Sequence, residues 1–296
     1  MLLDDNAQHR RIGIGLVCAG TFCYASLDAC GKWLVQSLPV MEVVWLRFVL
    51  HVVLGAALLA PSHGRGLVRM HSPRLQALRA LMLAAMTALN FWALQYLQLA
   101  QTGAIQFSVP ILIALISHVV LRESLDLRRW LAILAGFAGV LLVIRPGSQA
   151  FHPAILLSVL NAVLYAAFNL LTRRMAATET PASMQWLSAL GAAVVLTPFA
   201  LTSTHWPQQA SQWAVLVACG LFGALGHHAM ALAHRHASAA MLGPFLYQQI
   251  LYMGLWGWLV FSQVPDGLVV AGALVVVLSG LYLLWLEMRG HARVTT

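Results

Sequence analysis

Apolar residues run along this chain in blocks of about twenty, the length that crosses a bilayer as a helix. Short polar gaps separate the blocks. Ten candidate spans result, near residues 12–31, 41–60, 76–95, 102–121, 129–146, 153–172, 182–202, 212–232, 239–262 and 266–286. Arg10 and Arg11 precede the first block as in a signal peptide. That block is long enough to span and others follow, so it is read as the first transmembrane helix. No gap has room for a soluble domain. The pattern predicts an all-α integral membrane protein.

Composition agrees. Of 296 residues 60% are hydrophobic and 9% charged, and the mean hydropathy is +0.80. A soluble domain carries roughly 25% charged residues. The net charge of +8 would suggest nucleic acid in a soluble protein. Here the basic residues cluster in the gaps, where they set membrane orientation, so no nucleic-acid partner is expected. With a cytoplasmic N-terminus, the cytoplasmic segments hold Arg10, Arg11, Arg65, Arg69, Arg74, Arg79, Arg122, Arg128, Arg129, Arg173, Arg174, Arg235, Arg289 and Arg293. The other side has Lys32 and Arg145, and Arg47 lies within a span. This asymmetry supports ten helices with both termini cytoplasmic.

The chain also repeats itself. Tyr24-Ala25-Ser26-Leu27-Asp28 with Lys32 aligns with Tyr165-Ala166-Ala167-Phe168-Asn169 with Arg173. The same displacement sets Trp45-Leu46 on Trp186-Leu187 and Gly139 on Gly280. A slightly smaller one sets Ala93-Leu94 on Ala231-Leu232 and Asn90 on His228. The units are residues 1–147 and 148–296. Five helices per unit make the second enter from the opposite side. Inverted repeats are a recurring transporter architecture, with the solute site between them near the midplane.

Several landmarks give the chain a family resemblance. They are Asp28-x-x-x-Lys32, Trp45-Leu46-Arg47-Phe48, Leu121-Arg122-Glu123, Arg129-Trp130-Leu131, Gly136-x-x-Gly139 and Arg145-Pro146-Gly147 in the first half. Gly226-His227, Pro244-Phe245-x-Tyr247, Val264-Pro265-Asp266 and Gly280-Leu281-Tyr282 follow in the second. Over nearly its whole length the sequence resembles the drug/metabolite transporter superfamily, specifically its EamA-type ten-helix members. The resemblance implies transport of small metabolites, often export of amino acids or their derivatives. It also implies a cavity surrounded by helices one, three, four, six, eight and nine. Where relatives often carry Gly-Glu or Gly-Asp before Val-Pro-Asp, this chain has Ser262-Gln263.

Charges and amides at membrane depth mark candidate sites. Asp28 is the one acid read as embedded, with Lys32 a turn away and Arg47 on the next helix. They form either a solute or proton site or a structural ion pair. Asn161, Tyr165 and Asn169 recur every four residues on one helix face. Helix nine carries Tyr247-Gln248-Gln249, three adjacent polar residues that cannot all face lipid, and Gln248, Tyr252 and Trp256 fall along one side. Gln106, Asn90 and His228 complete the candidate wall. Asp28 and His228 are the candidates for proton coupling. Pro110 and Pro244 are expected to kink their helices and free carbonyls.

Cys18, Cys23, Cys30 and Cys219 lie in apolar runs without C-x-x-C spacing, so no disulfide or metal framework is implied. No phosphate-binding loop or nucleophile elbow is present, and no cofactor is expected. The sequence therefore predicts a multi-pass inner-membrane secondary transporter, moving a small polar, amino-acid-like or amino-acid-derived solute (a metal chelator among the options) by alternating access. Its partners would be that solute, membrane lipid and, as a coupling ion, the proton. Export leads and import is the alternative. A membrane-embedded enzyme or accessory protein is the rival from another class.

Overall fold

The computed structural model describes residues 7–121, 126–149, 151–202, 205–237 and 239–294. Arg122 and Glu123 of the fourth-helix landmark lie outside them. Among the described residues every regular element is helical. In order they are α1 (Ala7–Leu34), α2 (Val40–His63), a 3-10 turn (Gly64–Val68), α3 (Pro73–Tyr96), α4 (Leu99–Gln106), α5 (Val109–Leu121) and α6 (Leu127–Ile144). The second half continues with α7 (Ile155–Met175), α8 (Pro181–Leu201), α9 (Ala210–His236), α10 (Ala239–Leu246), α11 (Gln249–Phe261) and α12 (Gly267–Val294).

Nine stretches among these residues are long and apolar enough to cross a membrane. One of them, Leu99–Ile116, runs through the α4–α5 junction. The predicted span at 239–262 is not among the nine; it is divided into α10 and α11, and the polar run Tyr247-Gln248-Gln249 lies at the division.

The two cuts are counterparts. Helix is lost at Phe107-Ser108 in the first half and at Tyr247-Gln248 in the second. Pro110 stands in the first turn of α5, and without an N–H it cannot bond the Gln106 carbonyl. Pro244 sits inside α10, just ahead of the second cut. The prolines thus accompany full interruptions rather than kinks. The rings of Phe107 and Tyr247 meet each other, with centroids 5.2 Å apart.

Packing pairs the halves. The main contacts are α1 on α9 and α3 on α7, α2 on α8, and α6 on α12. Each first helix also reaches the broken helix of the other half. Gln248 donates to the Thr21 hydroxyl at 3.2 Å, and Asn161 donates to the Gln106 side-chain oxygen at 3.2 Å. At the α6–α12 crossing Gly139 and Gly272 let the backbones touch, since a Cβ on either would meet the other's carbonyl oxygen. Beside that crossing Asp266 caps α12 by accepting from Leu268 and Val269 N–H, and pairs with Arg145 at the end of α6. The Val269 N–H comes first among the groups that hold the Asp266 carboxyl below its ordinary range.

Helix α3 is held at both ends by charge. At its start the carboxylate of Glu179, from the α7–α8 loop, accepts from His71 N–H at 2.6 Å and Ser72 N–H at 2.8 Å. Burial raises the Glu179 carboxyl, but the N–H groups of Ser72 and His71 and the His71 ring outweigh it and hold it low. At the other end the Lys32 ammonium donates to the carbonyls of Leu94 and Leu97, at 2.8 and 2.7 Å. An anion at the N-terminus and a cation at the C-terminus both oppose the helix dipole. Arg79, expected in a polar gap, is buried within α3 instead. It donates to Thr172 of α7 and to Met184 O and Ser188 of α8, and lies over the Phe168 ring.

Candidate functional site

A cavity of about 920 Å³ lies between the halves. Its deep end is formed by Tyr24 and Asp28 of α1, Arg47 of α2 and Asn90 and Phe91 of α3. Its walls are Asn161, Tyr165 and Asn169 of α7, His227 and Met230 of α9, and the two interrupted helices through Gln106, Phe107, Pro110, Tyr247 and Gln249. Arg129, Arg173 and His234 line the end where α7 and α9 terminate.

The interruptions explain how the cavity is built. A continuous helix turns its amide groups inward on itself. Ending α4 at Gln106 and restarting at Val109 brings Gln106, Phe107 and Pro110 to one wall, and the cut in α10/α11 does the same with Leu246, Tyr247 and Gln249. Irregular backbone at membrane depth is tolerated where it lines such a space. Gly280 gives Tyr247 its place, because a Cβ there would overlap the tyrosine hydroxyl.

The polar groups fall into three clusters. Asp28 accepts a 2.9 Å hydrogen bond from Asn90. Arg47 donates to the Thr87 hydroxyl at 3.4 Å and leaves its Nε without a protein partner. Arg47 makes no ion pair with Asp28, so the structural pairing of α1 with α2 is not formed; Lys32 is likewise engaged with backbone carbonyls, not with Asp28. In the third cluster the Tyr24 hydroxyl lies 2.7 Å from Nδ1 of His227, whose ring stands 5.5 Å from that of His51. His51 is 4% exposed and its Nδ1 has no partner. Among the described residues no group of His, Cys, Asp or Glu could hold a metal ion.

The sequence candidates divide accordingly. Asp28, Arg47, Asn90, Gln106, Asn161, Tyr165, Asn169 and Tyr247 come together around the cavity. Gln248, Tyr252 and Trp256 do not. They lie against α1, where Gln248 bonds Thr21, Tyr252 meets the Phe22 ring edge-on and Trp256 donates to Ser26 at 3.0 Å. His228 is outside the lining, and its neighbour His227 is in it. Two signals pointed to the missed residues. His227 is one turn beyond Gly223, on the face where α9 meets α1 and α2, and His51 is one turn beyond Arg47. The C-caps also correct the repeat register. Leu97 ends α3 and Ala237 ends α9 with the same backbone bond, to Ala93 O and Ala233 O. That register sets Asn90 opposite Met230, not His228.

A helical bundle of many apolar spans, enclosing a cavity with charged and amide groups in its lining and walled by two broken helices, defines a membrane carrier. The sequence profile of the EamA-like transporter family matches this chain twice, over residues 11–145 and 152–286, and the chain belongs to that family. It is similar to the S-adenosylmethionine uptake transporter of Rickettsia felis, with 25% identity over 98% of both chains. It is also similar to the riboflavin transporter of Vibrio cholerae, 31% identical over 68% of each chain. The pseudopaline exporter of Pseudomonas aeruginosa is 26% identical over 90% of this chain and 94% of its own. One solved crystal structure shares the fold, with a TM-score of 0.65 and 18% identity over 96% of this chain and 99% of that one. Membership makes the protein a multi-pass inner-membrane transporter of small metabolites, not an enzyme.

Proposed function

We propose that this transporter carries an amino-acid-like or amino-acid-derived solute out of the cell by alternating access. The observation that carries the reading is the cavity chemistry. One carboxylate, Asp28, and one guanidinium, Arg47, line the same deep end, beside amides and aromatic rings. A zwitterionic head needs both signs of charge, and aromatic walls suit a less polar body. Arg129 and Arg173 at the mouth favour a solute with a further carboxylate.

The proposed topology has ten membrane crossings, with α4/α5 and α10/α11 each crossing once as a broken helix. Residues 1–147 and 148–296 are the inverted units and both termini are cytoplasmic. Exposed leucines such as Leu131, Leu134, Leu251 and Leu278 would face lipid. The mouth then opens to the cytoplasm, an inward-facing state ready to load for export. Proton coupling would run through Asp28, with His227 in place of His228 because His227 lines the cavity. Import is the second reading, favoured by the full-length likeness to an uptake transporter.

Counterflow in proteoliposomes, with a panel of zwitterionic solutes that includes S-adenosylmethionine, tests the proposal. Exchange of at least one zwitterion is expected. Its accumulation inside a deletion strain would indicate export, and its depletion import. No exchange of any zwitterion would overturn the solute class.

A further inference from the structure

The main helix contacts of one half recur in the other, and one that does not concerns the first and third helices. Helix α1 packs against α3, but their repeat-mates α7 and α9 make no comparable contact among the described residues. Both line the cavity instead. At the closed end, Lys32 of α1 holds the last-turn carbonyls of α3, Leu94 O and Leu97 O. Lys32 is 2% exposed and rests near the Phe261 ring.

The repeat-mate of Lys32 is Arg173, near the end of α7. Arg173 is exposed at the cavity mouth and bonds nothing among the described residues. The equivalent C-caps identify the counterparts of Leu94 O and Leu97 O as His234 O and Ala237 O, in the last turn and cap of α9. His234 lines the same mouth.

We infer that Lys32 and Arg173 are the two latches of the transport cycle. Lys32 closes one end of the cavity by seizing the C-terminus of α3. Arg173 closes the other by seizing the C-terminus of α9, in the state where Lys32 has let go. The inference rests on the alternating-access reading and adds to it which side chains hold each state. Both latches use the same physics: a cation placed on carbonyls that have no helical donor, at the negative end of the helix dipole. A cation-to-carbonyl latch is also reversible, because the released ammonium or guanidinium finds water or solute in the open mouth. Arginine suits the Arg173 position, since its fork can reach two carbonyls at once.

Spin labels at Arg174 and Arg235, both exposed and near the ends of α7 and α9, report on this gate. They would be placed by cysteine substitution in a background lacking the four native cysteines. Pulsed electron–electron resonance in liposomes should give a long and a short distance. Arg173→Ala should deplete the short-distance population by roughly tenfold to a hundredfold, the loss expected for hydrogen bonds to a charged group. Arg173→Lys should largely restore it. Lys32→Ala should do the opposite and enrich the short distance. If the short population persists unchanged in Arg173→Ala while Lys32→Ala still shifts it, the Arg173 latch is wrong and alternating access stands. A single distance that no variant and no solute moves overturns both.

Discussion

Helices α3 and α9 are counterparts, yet their ends are held differently. Helix α3 has a carboxylate at its start and an ammonium at its finish, each supplied by another segment. Helix α9 starts on a neutral cap, in which its own Gln212 accepts from Gln208 and Gln209 N–H and donates to Ser37. Its finish has no corresponding cation among the described residues. Corresponding places in the repeat therefore conceal unequal anchoring. The half with charged anchors is the one whose first and third helices are packed together. The half without them flanks the open cavity. On the alternating-access cycle proposed above, the state of the carrier would be read from which helix ends are occupied.

The largest effect should separate the mates Asp28 and Asn169. Asp28 holds Asn90 across the helix pair, whereas Asn169 donates to its own helix at Tyr165 O. Asp28→Asn should reduce gradient-driven flux by about a hundredfold or more, the scale of losing a bond to a charged group. Asn169→Ala should cost about fivefold. Flux assays on both variants decide it, and equal losses would erase the distinction between the halves.

Next come the two latches in a thermal assay. Lys32→Met leaves the Leu94 and Leu97 carbonyls open and should destabilise the protein by about 1.5–3 kcal/mol. Arg173→Met removes nothing that is bonded in this state and should stay within about 0.5 kcal/mol. A comparable fall in Tm for both would mean that Arg173 is already engaged.

The N-terminal caps should differ less. Glu179→Gln should cost about 1–2 kcal/mol, the range for losing a helix cap, against about 0.5–1 kcal/mol for Gln212→Ala. The carboxylate adds a pH signature. Its folded pKa is lowered, so its contribution is present above the ordinary glutamate value of about 4.3 and disappears as pH falls through the lower folded value. Melting curves should show an acid loss in the parent that is absent from Glu179→Gln.

The smallest effect tests neighbours on one helix. His227 meets Tyr24 and lines the cavity, and His228 does not line it. His228→Gln should change flux less than about twofold, while His227→Gln should alter the pH profile of flux. Identical profiles would return the coupling role to Asp28 alone.

The spans were legible because bilayer thickness imposes a run length, and each predicted run lies on a helix or on a broken pair. The interruptions at Phe107-Ser108 and Tyr247-Gln248 were only hinted at by Pro110 and Pro244, since the residues around them stay apolar. The candidate wall was half legible for a different reason. Exclusion from lipid says that a polar side chain points inward, but not whether it meets a cavity or another helix. Asn161 and Tyr165 reached the cavity, whereas Gln248 and Trp256 met Thr21 and Ser26. The partners of Lys32 were invisible altogether, because they are main-chain oxygens that any residue carries.

Glu179 has one more consequence, for how the chain is made. The donors it accepts from, His71 and Ser72, lie 108 and 107 positions earlier in the sequence. When α3 leaves the ribosome its cap does not yet exist, and the wait lasts until α7 has been synthesised. The first half of the chain is thus an unfinished intermediate during biogenesis, dependent on the second for completion. Expressed alone, residues 1–147 should be a substrate for quality-control proteolysis, and supplying residues 148–296 in trans should protect them.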